Sequence, residues 1–528
     1  MRLSPLLLGV SLIAISTPAA AQTTTTRQGT TRTLTVQTAT PAPTPAPAPV
    51  PTTTLRDAMV QAYATNPDLA GERANQRAND ENVPIARSQG LPGISSTGSV
   101  NDSVYDTDSS TVAPSRRMDL GINLSQPIYS GGAVRNSVRA ADTRVSAGRA
   151  NLRGTESDIF TQVVTAYVNV QRDESVVRLN QQNVHVLEVN LQATRDRFEV
   201  GDLTRTDVAQ SEARLALAQS QLRNAEAQLI GSRESYIRVI GTPPGVLAPP
   251  PDLPNLPSDV QTAEQTALAN NPFLEAAQLA RDASRYDVNV AKAGRLPQVS
   301  LGVGGTYYNY LGSLSSQAAA LTGLQRDGFA TTVGAQVSVP IFQGGRPAAQ
   351  VRQAQARQAA AIESVTLTER GVIAQARSAY ASYQSSLRVI ESSRVAVEAN
   401  RLSLEGVRAE NSVGTRTILD ILNAEQELLN SQVQYVTAER DAYVAGFTLL
   451  AAMGRAEAED LNLGDGPLYD PEANYKRVRN RWSDWADDKE PTAVGTPTTG
   501  TPAQGAEVGP GGMDPILERQ VDTTRTNP

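Results

Sequence analysis

The sequence predicts a mixed α/β membrane protein with an internally duplicated fold, each half supplying two strands and two long helical tracts. Three observations lead there. Motifs recur at a constant spacing, two stretches alternate with period two and have less cleanly alternating partners at Ile94 to Tyr105 and Val299 to Leu311, and two tracts of about 65 residues run almost without proline.

The duplication is read directly. NPDLAG at Asn66 returns as NPFLEA at Asn271, 205 residues on, and GLPGISS around Leu91 returns as RLPQVSL around Leu296 at the same offset. QPIYSGG around Pro127 returns as VPIFQGG around Pro340, now 213 residues on. Gly201 with Gly414, and Asp207 with Asp420, keep that second offset. The change places an insertion in the loop around Gly312 to Asp327.

Taken in order, residues 1–21 read as a signal peptide: Arg2, the apolar run Leu6 to Ile15, then Ala19-Ala20-Ala21. That apolar run is shorter than the roughly 20 residues a spanning helix needs. Residues 22–53 are rich in Thr and Pro and read as a disordered linker. The first structural repeat is expected at 54–240, with a helix over Thr54–Ser88, strands at 92–107 and 116–129, a long helix and a returning helix. A proline-rich linker at 241–257 leads to the second repeat at 258–455, with strands at 297–311 and 328–342. Residues 456–489 form a C-terminal segment carrying both tryptophans and packing outside the main body, and 490–528 read as a disordered tail.

Each assignment has its pattern. In Met118 to Ile128 the apolar Met118, Leu120, Ile122 and Leu124 alternate with Asp119, Gly121, Asn123 and Ser125. After Gly131-Gly132 and Gly344-Gly345 the proline-poor tracts would make helices on the order of 100 Å long at about 1.5 Å per residue. On the first returning helix Val208, Leu215, Leu222 and Leu229 recur every seven residues, with Ser211, Ala218 and Ala225 between them. Small residues there allow close helix approach in a coiled-coil seam.

Composition narrows the function. The chain has no cysteine and one histidine, His185 in a helical tract, so thiolate metal sites and histidine-dependent triads lack their groups. No phosphate-binding glycine loop occurs, and GVGG at Gly302 to Gly305 lies in a strand pattern. No enzymatic activity and no cofactor is expected. A net charge of -7 argues against nucleic acid as a partner. Four strands of membrane-spanning length cannot close a barrel alone, so a membrane reading demands oligomerisation, and three chains give twelve strands. A periplasmic or surface coiled-coil scaffold capped by a small sheet is the alternative, and a passive porin or adhesin a second one.

TAYVNV (165–170), QPIYSGG, VPIFQGG, VGTRTILDILNAEQELL (413–429), LLAAMGR (449–455) and PLYDPEANYKRVRNRW (467–482) resemble the TolC family of outer-membrane channel proteins. The resemblance runs in order from about Thr54 to Trp485. It implies a homotrimer whose twelve strands form an outer-membrane β-barrel, continued by a long periplasmic α-helical barrel. It further implies an export duct of type I secretion or multidrug efflux, docked to a periplasmic adaptor and an inner-membrane transporter of ABC or RND type.

Two Val-Gly turns, Val200-Gly201 and Val413-Gly414, each precede a helix with a carboxylate six residues after its glycine. Arg416, Asp420, Asn423, Glu427 and Asn430 follow helical spacing on one stripe, with Ile421, Leu422, Leu428 and Leu429 elsewhere. By residue pattern alone the stripe fits an exposed face with an Arg416–Asp420 pair. The resemblance implies instead that the turns are adaptor-docking tips and that Asp420, with Asn423 where the family has a second aspartate, forms a periplasmic constriction. It also implies gate links at Thr206, Asp207 and Arg416, with an Asp207–Arg416 bond, and places Asn411 where the family has a gating tyrosine.

Overall fold

A computed structural model describes residues 52–104, 114–463, 468–509, 514 and 516–518. The first repeat comprises β1 (Thr52–Thr53), α1 (Leu55–Thr65), α2 (Pro67–Asp80), α3 (Asn82–Ser88), β2 (Gly93–Asp102), β3 (Arg116–Tyr129), α4 (Ala133–Glu199) and α5 (Arg205–Ile240). After β4 (Val246–Leu247), the second comprises α6 (Val260–Asn270), α7 (Pro272–Ala293), β5 (Gln298–Asn309), α8 (Ser316–Thr322), β6 (Asp327–Ser338), α9 (Arg346–Ser412) and α10 (Ile418–Ala452). A short α11 (Pro471–Val478) closes the series.

The single helix expected over Thr54–Ser88 is three. Asn66 ends α1 and caps α2: its side-chain oxygen accepts from the N–H groups of Asp68 (2.9 Å) and Leu69 (3.2 Å), and Pro67 follows in the first turn. Asn271 does the same for α7 through Phe273 and Leu274. The amide NH2 of each asparagine then reaches the end of a returning helix, Asn66 to Val239 O at 2.9 Å and Asn271 to Ala452 O at 3.3 Å. One residue thus starts a helix and satisfies a distant helix end, in both repeats.

The four-stranded sheet runs β2-β3-β5-β6, every neighbour antiparallel. Cross-strand register puts Ile94, Leu124, Val303 and Val333 in one row, and Leu120, Tyr307 and Phe329 in another on the same face. The opposite face carries Ser95, Thr97, Asn123, Gly304, Thr306 and Thr332. Apolar residues of the first face stay exposed within one chain, Ile94 at 74% and Val333 at 77%. In β3 the pairing continues through Pro127 to Tyr129 by a register shift, whereas β6 stops at Ser338, short of the expected residue 342. Val339-Pro340 ends that ladder because proline has no N–H to give it. Of the strand expected at 92–107, residues 105–107 lie outside the described residues.

Among the described residues no helix is long and apolar enough to cross a membrane. The 67-residue α4 and α9 each pair with their returning helix, and α10 lies against α4. In the α4–α5 seam the small Ser211 and Ala218 are the buried positions, as heptad spacing requires, and Leu229 is buried further along. The main core gathers Phe160, Val163, Tyr167, Tyr236, Phe447 and Leu449 around α1 and the C-terminal ends of the returning helices, away from the hairpin turns.

One further expectation needs correction. The segment from 490 is not structureless over its described part: Arg233 donates to Gly505 O (2.7 Å) and Glu507 O (2.9 Å), Gln504 N–H donates to Glu234, and Val508 packs on the main core. The linker 241–257 is held as well, its Ala248 carbonyl accepting from Tyr167 OH and Gln171, its Pro251 carbonyl from Tyr443 OH.

Replacing Asn66 or Asn271 by alanine should each cost about 1 kcal/mol or more, since a cap and a long-range bond go together. The thermal midpoint of detergent-solubilised protein, followed by far-UV circular dichroism, should fall for both variants. An unchanged midpoint rejects the double role.

Candidate functional site: the hairpin tips

Both long helices end the same way. Gly201 (φ +83°) and Gly414 (φ +82°) adopt the left-handed conformation that an L side chain resists. The N–H of Asp202 then reaches back to Arg197 O at 2.9 Å, and that of Thr415 to Glu410 O at 3.1 Å, which closes the helix C-termini in Schellman fashion. Val200 and Val413, immediately before the glycines, are 80% and 75% exposed.

The returning helices also start alike. Thr204 caps α5 and Thr417 caps α10, each in a reciprocal capping box with the aspartate three residues on. Asp207 accepts from the N–H (2.9 Å) and hydroxyl (2.7 Å) of Thr204; Asp420 accepts from the N–H (2.9 Å) and hydroxyl (2.8 Å) of Thr417. The threonine hydroxyls, then the threonine N–H groups, hold both carboxyls below the usual aspartate range. A solitary aspartate among apolar residues therefore has a local reason to be there. The T-x-x-D pattern in TRTD and TILD carries that signal.

Arg416 is engaged by Glu410, whose carboxylate accepts from its Nε at 2.7 Å, and approaches Asp420 only to 4.0 Å. The expected Asp207–Arg416 bond is not formed within the chain, because each partner is held by its own hairpin. Thr206 is exposed beside Asp207 and takes no part in the cap. Asn411 donates to Arg416 O at 2.7 Å, fixing the turn from inside. Asn423, Glu427 and Asn430 are exposed along α10. Asn423 accepts from Arg214 of α5 at 2.7 Å, a bond between the two hairpins across 209 residues of sequence.

The duplication is exact in backbone and altered in charge. Arg197 pairs with Asp202 at the first tip, and the residue 213 positions on is Glu410, which pairs with Arg416 at the second. One turn deeper, Arg195–Glu212 and Arg408–Glu425 are the same pair in the two repeats. The first is half-exposed on both sides, while Glu425 is only 1% exposed. Burial of the second follows from α10 packing onto the other hairpin, where Leu422 meets Leu187 and Ala218.

Set against known proteins, the profile described as "Outer membrane efflux protein" matches residues 58–242 and 264–455, both repeats of this fold. The chain belongs to the outer membrane efflux protein family. It is 35% identical over 430 residues to the outer membrane efflux protein BepC of Brucella suis, covering 81% of this chain and 91% of that protein. With the outer membrane protein TolC of Vibrio cholerae it shares 28% identity, covering 76% of this chain and 90% of TolC. In structure it is similar to the outer membrane protein VceC of Vibrio cholerae, with a TM-score of 0.64 at 21% identity, over 76% of this chain and 96% of that one. As a family member it is an outer-membrane export duct, and the proteins it is similar to are channels rather than enzymes.

The two repeat-related ion pairs should differ in weight. Arg195→Ala should change stability by no more than about 1 kcal/mol. Arg408→Ala, which takes the guanidinium from a buried carboxylate, should cost on the order of 3 kcal/mol. Limited proteolysis at the tips should show the second hairpin opening in Arg408→Ala alone; equal sensitivity of both variants contradicts the burial argument.

Proposed function

We propose that three copies of this chain close one export duct, and that its periplasmic entrance is controlled at the hairpin tips. The observation that carries the trimer is the sheet: one apolar face, one face of small polar residues, and two unpaired edges, β2 and β6. In hydrocarbon an open edge leaves backbone groups unsatisfied. Four strands are too few to close, whereas twelve enclose a lumen into which the Ser, Thr, Asn and Gly face points.

The helices support the same count. Twenty-five residues of α4 are buried but only seven of the equally long α9, which leaves Leu367 and Leu402 about 70% exposed. Such a face calls for a neighbouring subunit. At the far end, Val200-Gly201 and Val413-Gly414 offer two exposed apolar knobs on pinned turns, suited to an adaptor in the periplasm that links the duct to an inner-membrane transporter of ABC or RND type.

At the entrance, Asp420 repeated around the trimer axis forms an anionic constriction, with Asn423 beside it. Charged rings select ions by sign, so cations are favoured. Arg416 and Asp207, with the adjacent Thr206, form a gate link between subunits, which must compete with Glu410 for the Arg416 guanidinium.

Light scattering of the detergent-purified protein should give a mass of three chains; a stable monomer that never conducts refutes the reading. Asp420→Asn keeps an acceptor for the cap and removes the charge. In planar bilayers under a salt gradient it should shift the reversal potential toward zero cation preference, and an unchanged potential removes Asp420 from the constriction. Arg416→Ser should raise single-channel conductance, and wild-type conductance would deny it a gating role.

A further inference from the structure

The C-terminal segment and the start of α4 together form a surface that export does not explain. Arg135 and Arg139 lie in the first two turns of α4, which begins four residues after β3 ends at Tyr129. At about 1.5 Å per residue, both sit within on the order of 10 Å of the last strand residue. Arg87 of α3 comes in beside them; Gln126 of β3 donates to Gly90 O at 2.9 Å and ties the end of α3 to the sheet. Arg479, just beyond α11, completes the group. Arg87 donates to Asn480 Oδ1 and Arg479 O, which docks this segment on α3.

These four arginines line one cavity of about 480 Å³, with Val83, Val138 and Tyr475 as its apolar wall. All four are exposed, and none forms an ion pair among the described residues. The one carboxylate in the cavity, Asp142, accepts from Tyr475 OH at 2.9 Å. Neighbouring Arg477 and Arg481, by contrast, are both paired with Asp488. The cavity is therefore a concentration of unneutralised cationic forks, while beyond it Asp484 and Asp487 on either side of Trp485 form no ion pair among the described residues.

Three and six residues after Arg479 come Trp482 and Trp485, 81% and 95% exposed, the only two tryptophans in the chain. Ile85, two residues before Arg87 on α3, and Ile128 at the end of β3 are exposed apolar residues. Tryptophan favours the membrane–water interface, where its ring is half in hydrocarbon and its N–H meets headgroups. Guanidiniums match phosphate oxygens in a bidentate manner.

We propose that this surface binds an anionic phospholipid of the periplasmic leaflet of the outer membrane. The phosphate enters the cavity of Arg87, Arg135, Arg139 and Arg479, and Trp482 and Trp485 insert at the interface beside it. The site anchors the junction of barrel and helices at a fixed depth, and it lies outside the export path.

Because the chain holds no other tryptophan, intrinsic fluorescence reports this surface alone. Full-length protein is reconstituted in phosphatidylethanolamine vesicles containing brominated phosphatidylglycerol or brominated phosphatidylcholine. Brominated phosphatidylglycerol should quench at least about twofold more strongly. The Arg135→Gln/Arg139→Gln double variant should retain quenching but lose the difference between lipids, with wild-type conductance confirming an intact duct. Arg479→Gln, at an exposed position, gives a second reading should the double variant fold poorly; it should reduce the preference in the same direction. Absence of quenching by either lipid overturns the anchor. Equal quenching of the unmodified protein by both lipids, or a preference that survives the arginine changes, overturns the phosphate site.

Discussion

Unsatisfied backbone at a sheet edge is the constraint on which the rest of this structure depends. A chain that supplies β2, β3, β5 and β6 leaves two rows of N–H and C=O groups open, which water tolerates and hydrocarbon does not. Everything unusual about the single chain follows. Its apolar sheet face is bare, its longest second-repeat helix has few buried side chains, and its largest core lies away from the strands. These are features of a part whose remaining contacts come from other copies.

Duplication gives the part its regularity, and divergence between the copies gives it two unlike hairpins. Asn66 and Asn271 still perform the same cap and the same reach to a helix end. Arg195–Glu212 and Arg408–Glu425 still join the same atoms, but only the second was drawn into the protein when α10 packed on α4. At the tips the helix-end residue is Arg197 in one copy and Glu410 in the other, with the partner charge reversed to match. Backbone geometry was kept while surface charge changed, because glycine turns and caps are local demands and a solvent-facing pair is not.

What could be read from the chain alone follows that division between local and distant. The strands were legible from period-two alternation, since a sheet with one lipid face and one water face has nothing else to blur it. The long helices were legible from the scarcity of proline. The break at Asn66-Pro67 is signalled by its own dipeptide, which a single helix over Thr54–Ser88 passes over. T-x-x-D at Asp207 and Asp420 states a cap first, and a functional charge there comes only from the family resemblance. Arg214–Asn423, the four arginines of the lipid-facing cavity and the seating of residues 502–508 join segments far apart in sequence, and no local pattern announces them.

The caps also limit how an entrance built from these hairpins can move. At each tip a left-handed glycine closes one helix and a threonine–aspartate box opens the next, so unwinding either end forfeits several backbone bonds at once. Within the second hairpin the buried Glu425 binds α10 to α9. The contact between hairpins is softer: small and aliphatic side chains, Leu422 on Leu187 and Ala218, with hydrogen bonds from Arg214 to Asn423 near the tips and from Arg440 to Asn169 farther from them. Sliding along such a seam near the tips exchanges one aliphatic contact for another and breaks the Arg214–Asn423 hydrogen bond. On the proposed reading of the tips as the entrance, the cheapest widening is a displacement of one intact hairpin against the other, with the glycine turns carried along as rigid knobs.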